Sequence, residues 1–471
     1  MSRPLSDVIS DGYIAIFCVV MLGAMLVSVL VNVASLSDEL CTSAGCREGR
    51  SLLPWLVATG SLVLVLTLSR MFGPVFASPA VSSWLLSTPA DRGALLRPRI
   101  WRTALIATLV TGLLAAAAAT LGGFGSSAVA GFSLLSAVVA VCSVSVAVLA
   151  QAGSGLAGRL LTWLLGLLLW VALLLLAMER APLLQTPSTV PTPAVGVGVT
   201  VLVVTGCLLG FAFRQVARLQ RRDVAAGGNL APGISGAMAS LDLALMYDVL
   251  VGHRWRSRGS VRSRRSGPSG VSALVWADLV RLTRSPQWLV MVMLSIVVPY
   301  AVGVAGGERI VFLAGALVGF LTGLPLLTAL RVLSRSGSVL RLLPFPVMQA
   351  RRATLVVPAV VLVLHGLATI PVLHDVLDLT WAAAVMCGIA SGMASLAAAA
   401  RWVTGRPPDF SRPLVSSPAG GVPTNLYGSA LRGFDVLLLA TAPVLLAPVA
   451  NTAGLSILIS VIVLAVLASR K

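Results

Sequence analysis

The chain has 471 residues, of which 57% are hydrophobic and only 11% charged, with a mean hydropathy of +0.97. A soluble domain carries roughly 25% charged residues, so this composition excludes a water-soluble globular fold and points to helical spans of about 20 residues. The formal net charge of +18 is spread over many loops and is carried by arginine except at Lys471, a pattern of cytoplasmic-loop anchoring and not of a nucleic-acid surface.

In chain order, Met1–Asp11 holds one basic residue, Arg3, and no small-residue cleavage site follows the first apolar run. It reads as a short cytoplasmic tail and signal anchor. Apolar windows predict spans at 13–34, 52–72, 103–122, 128–150, 160–178 and 195–213. After a polar interval, six more are expected at 287–305, 309–330, 354–373, 380–399, 434–449 and 453–469. The expected fold is therefore an all-α polytopic membrane protein of about twelve transmembrane helices. It divides into a first six-helix half (1–213), a basic cytoplasmic connector (214–286) and a second six-helix half (287–471).

Nearly every arginine falls in loops 73–102, 151–159, 214–286, 331–353 and 400–433, which places these loops and both termini in the cytoplasm. Only Arg47, Arg50, Arg180 and Arg309 fall on the other side. Six spans return the chain to its starting side, so the halves form a parallel repeat about an axis along the membrane normal. The location that suits this layout is a bacterial plasma (inner) membrane.

The outward loop 35–51 holds Cys41 and Cys46, which an oxidising exterior would allow to bridge; two free thiols are the alternative. Cys18, Cys142, Cys207 and Cys387 fall within spans and read as small core residues. In the connector, Ile234, Met238, Leu241, Leu245 and Val249 recur at helical spacing with Asp242 and Asp248 off the stripe, an amphipathic helix over 233–250. The Gly/Ser/Arg run 254–270 suits anionic headgroups. Over 273–286, Val275, Leu279 and Leu282 face one way and Asp278, Arg281 and Arg284 another, as in a helix lying in the membrane interface. Five prolines in 401–433 argue against regular structure there.

Catalytic signatures are missing. A P-loop needs a lysine after its glycines, and the chain's single lysine is Lys471. There is no H-E-x-x-H, no Cys/His cluster and no G-x-S-x-G elbow, so neither a metal, a cofactor nor a hydrolase nucleophile is expected. Charge at mid-membrane costs about 2.5–3.5 kcal/mol or more, and it is nearly absent. His365, in the ninth predicted span, reads as a neutral imidazole bonded to a neighbouring helix, with a proton relay as the alternative.

Two loops look like one device used twice. Ser83–Arg102 and Ser338–Val357 each follow the second span of a half and run through a short apolar stretch into a proline, Pro89 or Pro344. Eight residues on, each carries an arginine, Arg97 or Arg352. The stretches WLLSTPADRGALLRPR and VLRLLPFPVMQARR, with the twelve-span layout, resemble the permease subunits of type 2 ABC exporters. In that family each half opens with an interfacial helix, and the first cytoplasmic loop holds a short coupling helix. This chain departs from the pattern in joining two six-span halves in one polypeptide, and in placing Ser87 and Thr88 between the leucines and Pro89.

The resemblance implies a separate ABC ATPase pair docking beneath the two loops. Leu86–Leu96 and Leu342–Arg351 would seat in its grooves, with Leu86, Pro89, Leu343, Pro344 and Arg351 among the seated residues. Arg97, Arg99 and Arg352 would lie at headgroup level, and Arg92 would make a polar contact with the partner. Two other classes stay open: an ion-coupled secondary transporter, which the parallel repeat suits equally, and a non-catalytic membrane scaffold or lipid-processing enzyme. The substrate is not legible in these residues.

Overall fold

The computed structural model describes residues 20–35 (apart from 22 and 26), 41, 44–84, 88, 91–153, 156–178, 195–219, 221–239, 243–256, 267–307, 310–405, 415–417, 420–422 and 431–469. Among them, ten helices are long and apolar enough to cross a bilayer, which makes this a multi-pass membrane protein. The first predicted span lies partly outside the described residues and is represented by the shorter helix α1 (Gly23–Ser35). The eleventh predicted span is a 13-residue helix, α19 (Phe434–Leu446), ended by a β-region residue at Ala447.

The chain divides into two compact units, one of Met1–Leu175 and Glu179–Ala225, the other of Leu176–Met178 and Ala226–Lys471. In the first unit, α2 (Ala44–Phe72) is followed by a short helix α3 (Pro79–Ser83), then α4 (Arg92–Leu121), α5 (Ser126–Ala152), α6 (Leu156–Ala177) and α7 (Val195–Gln215). Cys41, ahead of α2, is bonded to Cys46 in the first turn of that helix, with Cα atoms 5.6 Å apart.

The connector contributes α8 (Arg221–Ala239), α9 (Leu243–Arg256) and α10 (Ser272–Arg284). The stretch expected as one amphipathic helix over 233–250 is thus seen as two helices, with residues 240–242 outside the described set. They pack on each other where Gly233 meets Val249. In the second unit, α11 (Gln287–Ser295) and α12 (Val297–Val304) form one span, and α13 (Val311–Gly323) and α14 (Thr328–Arg335) another, joined by a 3-10 turn at Leu324–Leu327. Then follow a short helix α15 (Gly337–Leu342), α16 (Val347–Leu367), α17 (Ile370–Leu377), α18 (Trp381–Val403), α19 and α20 (Ala450–Ser469). Against the expectation of irregular chain, Val415–Ser417 and Gly420–Val422 pair as a two-stranded antiparallel ribbon.

Two helices begin earlier than their apolar windows. The span expected from 103 opens at Arg92, and that expected from 354 opens at Val347. Asp91 explains the first: its side chain caps the helix by accepting from Gly93 N–H at 2.8 Å. Arginines do not stop a helix at a membrane boundary, because their long stems carry the charge out to water. Arg97, Arg99, Arg102, Arg351 and Arg352 are therefore helical and not loop residues.

The core of the second unit forms around α18, the most buried of the candidate spans. Its Gly388 and Gly392 make a G-x-x-x-G face, and Gly366 of α16 lies against it. A Cβ on Gly366 would sit 2.1 Å from the Gly388 carbonyl, and one on Gly392 would sit 2.5 Å from the Leu362 carbonyl. The two backbones touch, a contact that small residues make possible where lipid supplies no hydrophobic drive between helices. Replacing Gly392 with alanine forces α16 and α18 apart, since the obstructing atoms are backbone. We expect Gly392→Ala to cost about 1–3 kcal/mol, read as a lowered Tm in detergent. Gly454→Ala, which meets nothing within 4 Å, should leave Tm unchanged.

Candidate functional site

Each unit places a short helix in a loop between two of its candidate spans. In the first unit this is α3, entered through Ser78, whose hydroxyl caps it by accepting from Val81 N–H, with Pro79 at the first helical position. In the second it is α15. Each helix ends in a protruding apolar side chain: Trp84, the C-cap of α3, is 77% exposed, and Leu342, the last residue of α15, is 83% exposed. The register differs from the sequence echo, which pairs Pro89 with Pro344 and Ser83 with Ser338. The helix α3 ends six residues before Pro89 and α15 ends two before Pro344.

The segment leading into α3 is held by side chains. After Gly73, at φ +74°, residues 74–77 leave the helix and pass through the core, with Val75 and Ala77 fully buried. Backbone groups in such a place need partners. Gln151, at the end of α5, supplies two: its Nε2 donates to the Val75 carbonyl at 3.0 Å and its Oε1 accepts from Val75 N–H at 3.3 Å. Thr103 donates to the Pro74 carbonyl at 2.9 Å, Arg99 donates to the Phe76 carbonyl, and Ala77 N–H donates to the Val224 carbonyl at 3.2 Å. Sequence reasoning passed over Gln151. The signal for it was a lone amide, both donor and acceptor, at the end of an apolar helix.

The second unit holds its loop through the connector. Pro325 lies in the 3-10 turn between α13 and α14, where the regular carbonyl ladder breaks. Arg281 of α10 donates to the Leu326 carbonyl and pairs with Asp278 at 2.9 Å. Asp278 is not on the polar side of α10 as its spacing suggested: it is buried together with Leu282, while Leu279 is exposed. Burial outweighs the pull of Arg281 and pushes the Asp278 carboxyl up to about 6. One turn after the break, Arg331 and Arg335 of α14 both pair with Asp248 of α9. The Arg331 guanidinium also lies 4.9 Å from the Tyr247 ring centre and 5.3 Å from that of Trp402.

The residues singled out from the sequence fall in different settings. Leu86 and Pro89 lie outside the described residues. Arg92 and Arg97, in the first two turns of α4, and Arg352 of α16 are exposed; Leu343 is half-buried and Pro344 exposed. Arg351 is turned inward, 8% exposed, with its Nη1 donating to the Leu467 carbonyl of α20 at 3.4 Å. Among the described residues no group of three or more His, Cys, Asp or Glu is placed to hold a metal.

Two predictions test these clamps. Gln151→Leu strands both polar groups of Val75, each worth about 1–3 kcal/mol when buried without a partner. Hydrogen exchange over 74–83 should accelerate in that variant before any global loss of helix. For Asp278, a native carboxyl held above its unfolded value of 3.8 contributes stability that is complete below pH 4 and is lost as pH rises through about 6. The Tm of the native protein relative to Asp278→Asn should therefore fall between pH 4 and pH 7.

No curated protein and no solved structure matches this chain. A family described as one of unknown function, DUF6297, matches residues 46–413. That stretch takes in both short-helix loops and the connector, so the chain belongs to the DUF6297 family, whose function is unknown.

Proposed function

We propose that this protein is the membrane-spanning permease subunit of an ABC-type exporter, driven by a separate ATPase that docks on the 83–97 and 338–352 loops. The observation that carries the reading is the short helix that follows α2 in the first unit and α14 in the second, ending in Trp84 in one and Leu342 in the other. A large apolar side chain at the tip of a loop is the kind of anchor that seats in a partner's pocket. An ATPase pair needs two such surfaces, one beneath each half of the transporter.

In this reading the chain has twelve spans as two parallel six-helix repeats, with α1 and α19 completing the ten longer helices. Both termini lie in the cytoplasm of a bacterial inner membrane, and the basic connector rests on anionic headgroups. Arg92, Arg97 and Arg352 line the docking face, whereas Arg351 holds α16 to α20 from within. The clamps at Val75 and Leu326 carry motion of the loops into the helices. ATP hydrolysis belongs to the partner, because the chain has no P-loop lysine.

The test is a mild-detergent pull-down from native membranes, read by mass spectrometry and an ATPase assay. A P-loop ATPase should co-purify. Burying each apolar tip is worth about 1.5–3 kcal/mol, so Trp84→Glu with Leu342→Glu should release it at unchanged Tm. Arg92→Glu with Arg352→Glu should uncouple stimulation of the ATPase without unfolding. Intact, monodisperse protein that repeatedly brings down no ATPase would sink the reading and leave an ion-coupled carrier or a scaffold.

A further inference from the structure

A polar seam runs through the interior of the second unit. His365 of α16 is 2% exposed and lies among packed helices. Its Nε2 is 3.3 Å from the Ser295 hydroxyl of α11. That hydroxyl donates its own hydrogen to the Val292 carbonyl at 2.7 Å, so it accepts from His365 and the imidazole is the Nε2–H tautomer. The Nδ1 atom is then a bare lone pair, and it has no protein partner. It faces Gly319 of α13, where a Cβ would lie 3.3 Å from it and 2.6 Å from the Ser395 hydroxyl of α18.

One turn away the same thing recurs. Ser391 of α18 is 1% exposed, and its hydroxyl also lacks a protein partner. It faces Gly315, and here there is room. A Cβ on Gly315 would meet its nearest neighbours at ordinary contact distance: the Ser391 hydroxyl at 3.5 Å, Pro299 at 3.8 Å and Thr369 at 3.9 Å. A methyl-sized space therefore lies beside an unsatisfied hydroxyl. Ser395 lends a further lone pair, its hydrogen being donated to the Ala316 or Ser391 carbonyl, each at 2.8 Å.

We propose that this seam is a water-binding site in the membrane interior, its water held between the Ser391 hydroxyl and His365 Nδ1 in the space beside Gly315. A buried water needs two to four polar partners and about the volume of one probe sphere, and the seam offers Ser391 beside Gly315 and, one turn along beside Gly319, His365 Nδ1 and Ser395. The ligand class is narrow. A metal would need more donors, and an apolar molecule would leave both polar groups stranded.

The chain has three histidines, His253, His365 and His374, so histidine labelled with nitrogen-15 gives few signals in lipid bilayers. His253→Gln and His374→Gln assign them. Solid-state NMR should find His365 neutral, with Nε2 protonated and Nδ1 receiving magnetisation from water. Gly315→Ala, whose added methyl fits, should abolish that transfer; if it fails to fold, Ser391→Ala serves the same purpose. A proton on Nδ1, no transfer from water in the native protein, or transfer that persists in the variant would each overturn the proposal.

Discussion

Away from water, a backbone N–H or C=O left without a partner is more costly than almost any single contact is favourable. Helices meet this demand within themselves, which is why they dominate a chain of this composition. The demand becomes acute where the chain must stop being helical while still inside the core. That happens twice. In the first unit, residues 74–77 pass through the core on the way to α3, and Gln151, Thr103, Arg99 and the Val224 carbonyl satisfy their polar groups. In the second, the 3-10 turn at Leu324–Leu327 breaks a long helix, and Arg281 takes up the Leu326 carbonyl. Both loops that bear the short helices depend on these partners for their position.

Arginine does two kinds of work here. Arg92, Arg97 and Arg352 are exposed. Arg281, Arg331 and Arg351 point inward, to a carbonyl or a carboxylate. A fork of five donors on a long apolar stem suits both tasks, so the same residue type gives no hint of which one it performs. Asp248 and Asp278 make the same point from the acidic side. Two of the few carboxylates of the connector lie against the second unit, one pairing with α14 and one with its own helix beside the break. The connector is thereby part of that unit's structure and not merely a tether.

The glycine and serine content of α18 follows from its place at the centre. A helix packed on several sides needs small residues wherever another backbone crosses it, as Gly366 does at Gly388 and Gly392. Small residues also leave gaps, and serine hydroxyls beside them need partners. Ser395 finds two in carbonyls, whereas Ser391 and His365 Nδ1 do not find one in the protein. Close packing and the polar seam are two consequences of one choice of residues.

Much of the fold was legible in the chain because hydropathy and length are local. Windows of about 20 apolar residues cross a bilayer as helix, and the ten long helices fall where such windows lie. Two loops with a proline and an arginine at matched spacing were also legible, and a short helix, α3 or α15, stands ahead of each proline. The helix starts at Arg92 and Val347 were not, since a basic residue at a membrane boundary reads as loop until its stem is seen to carry the charge outward. Neither were Gln151, Arg281 and the inward turn of Arg351, nor the burial of Asp278. Each is a partner chosen across 45 to 116 residues of chain, or a helix face chosen by what packs on it. The sequence by itself determined which segments enter the membrane, because transfer from water depends on composition alone. The tertiary structure decided which polar side chains face inward and what they hold, because a hydrogen bond depends on where two distant groups meet.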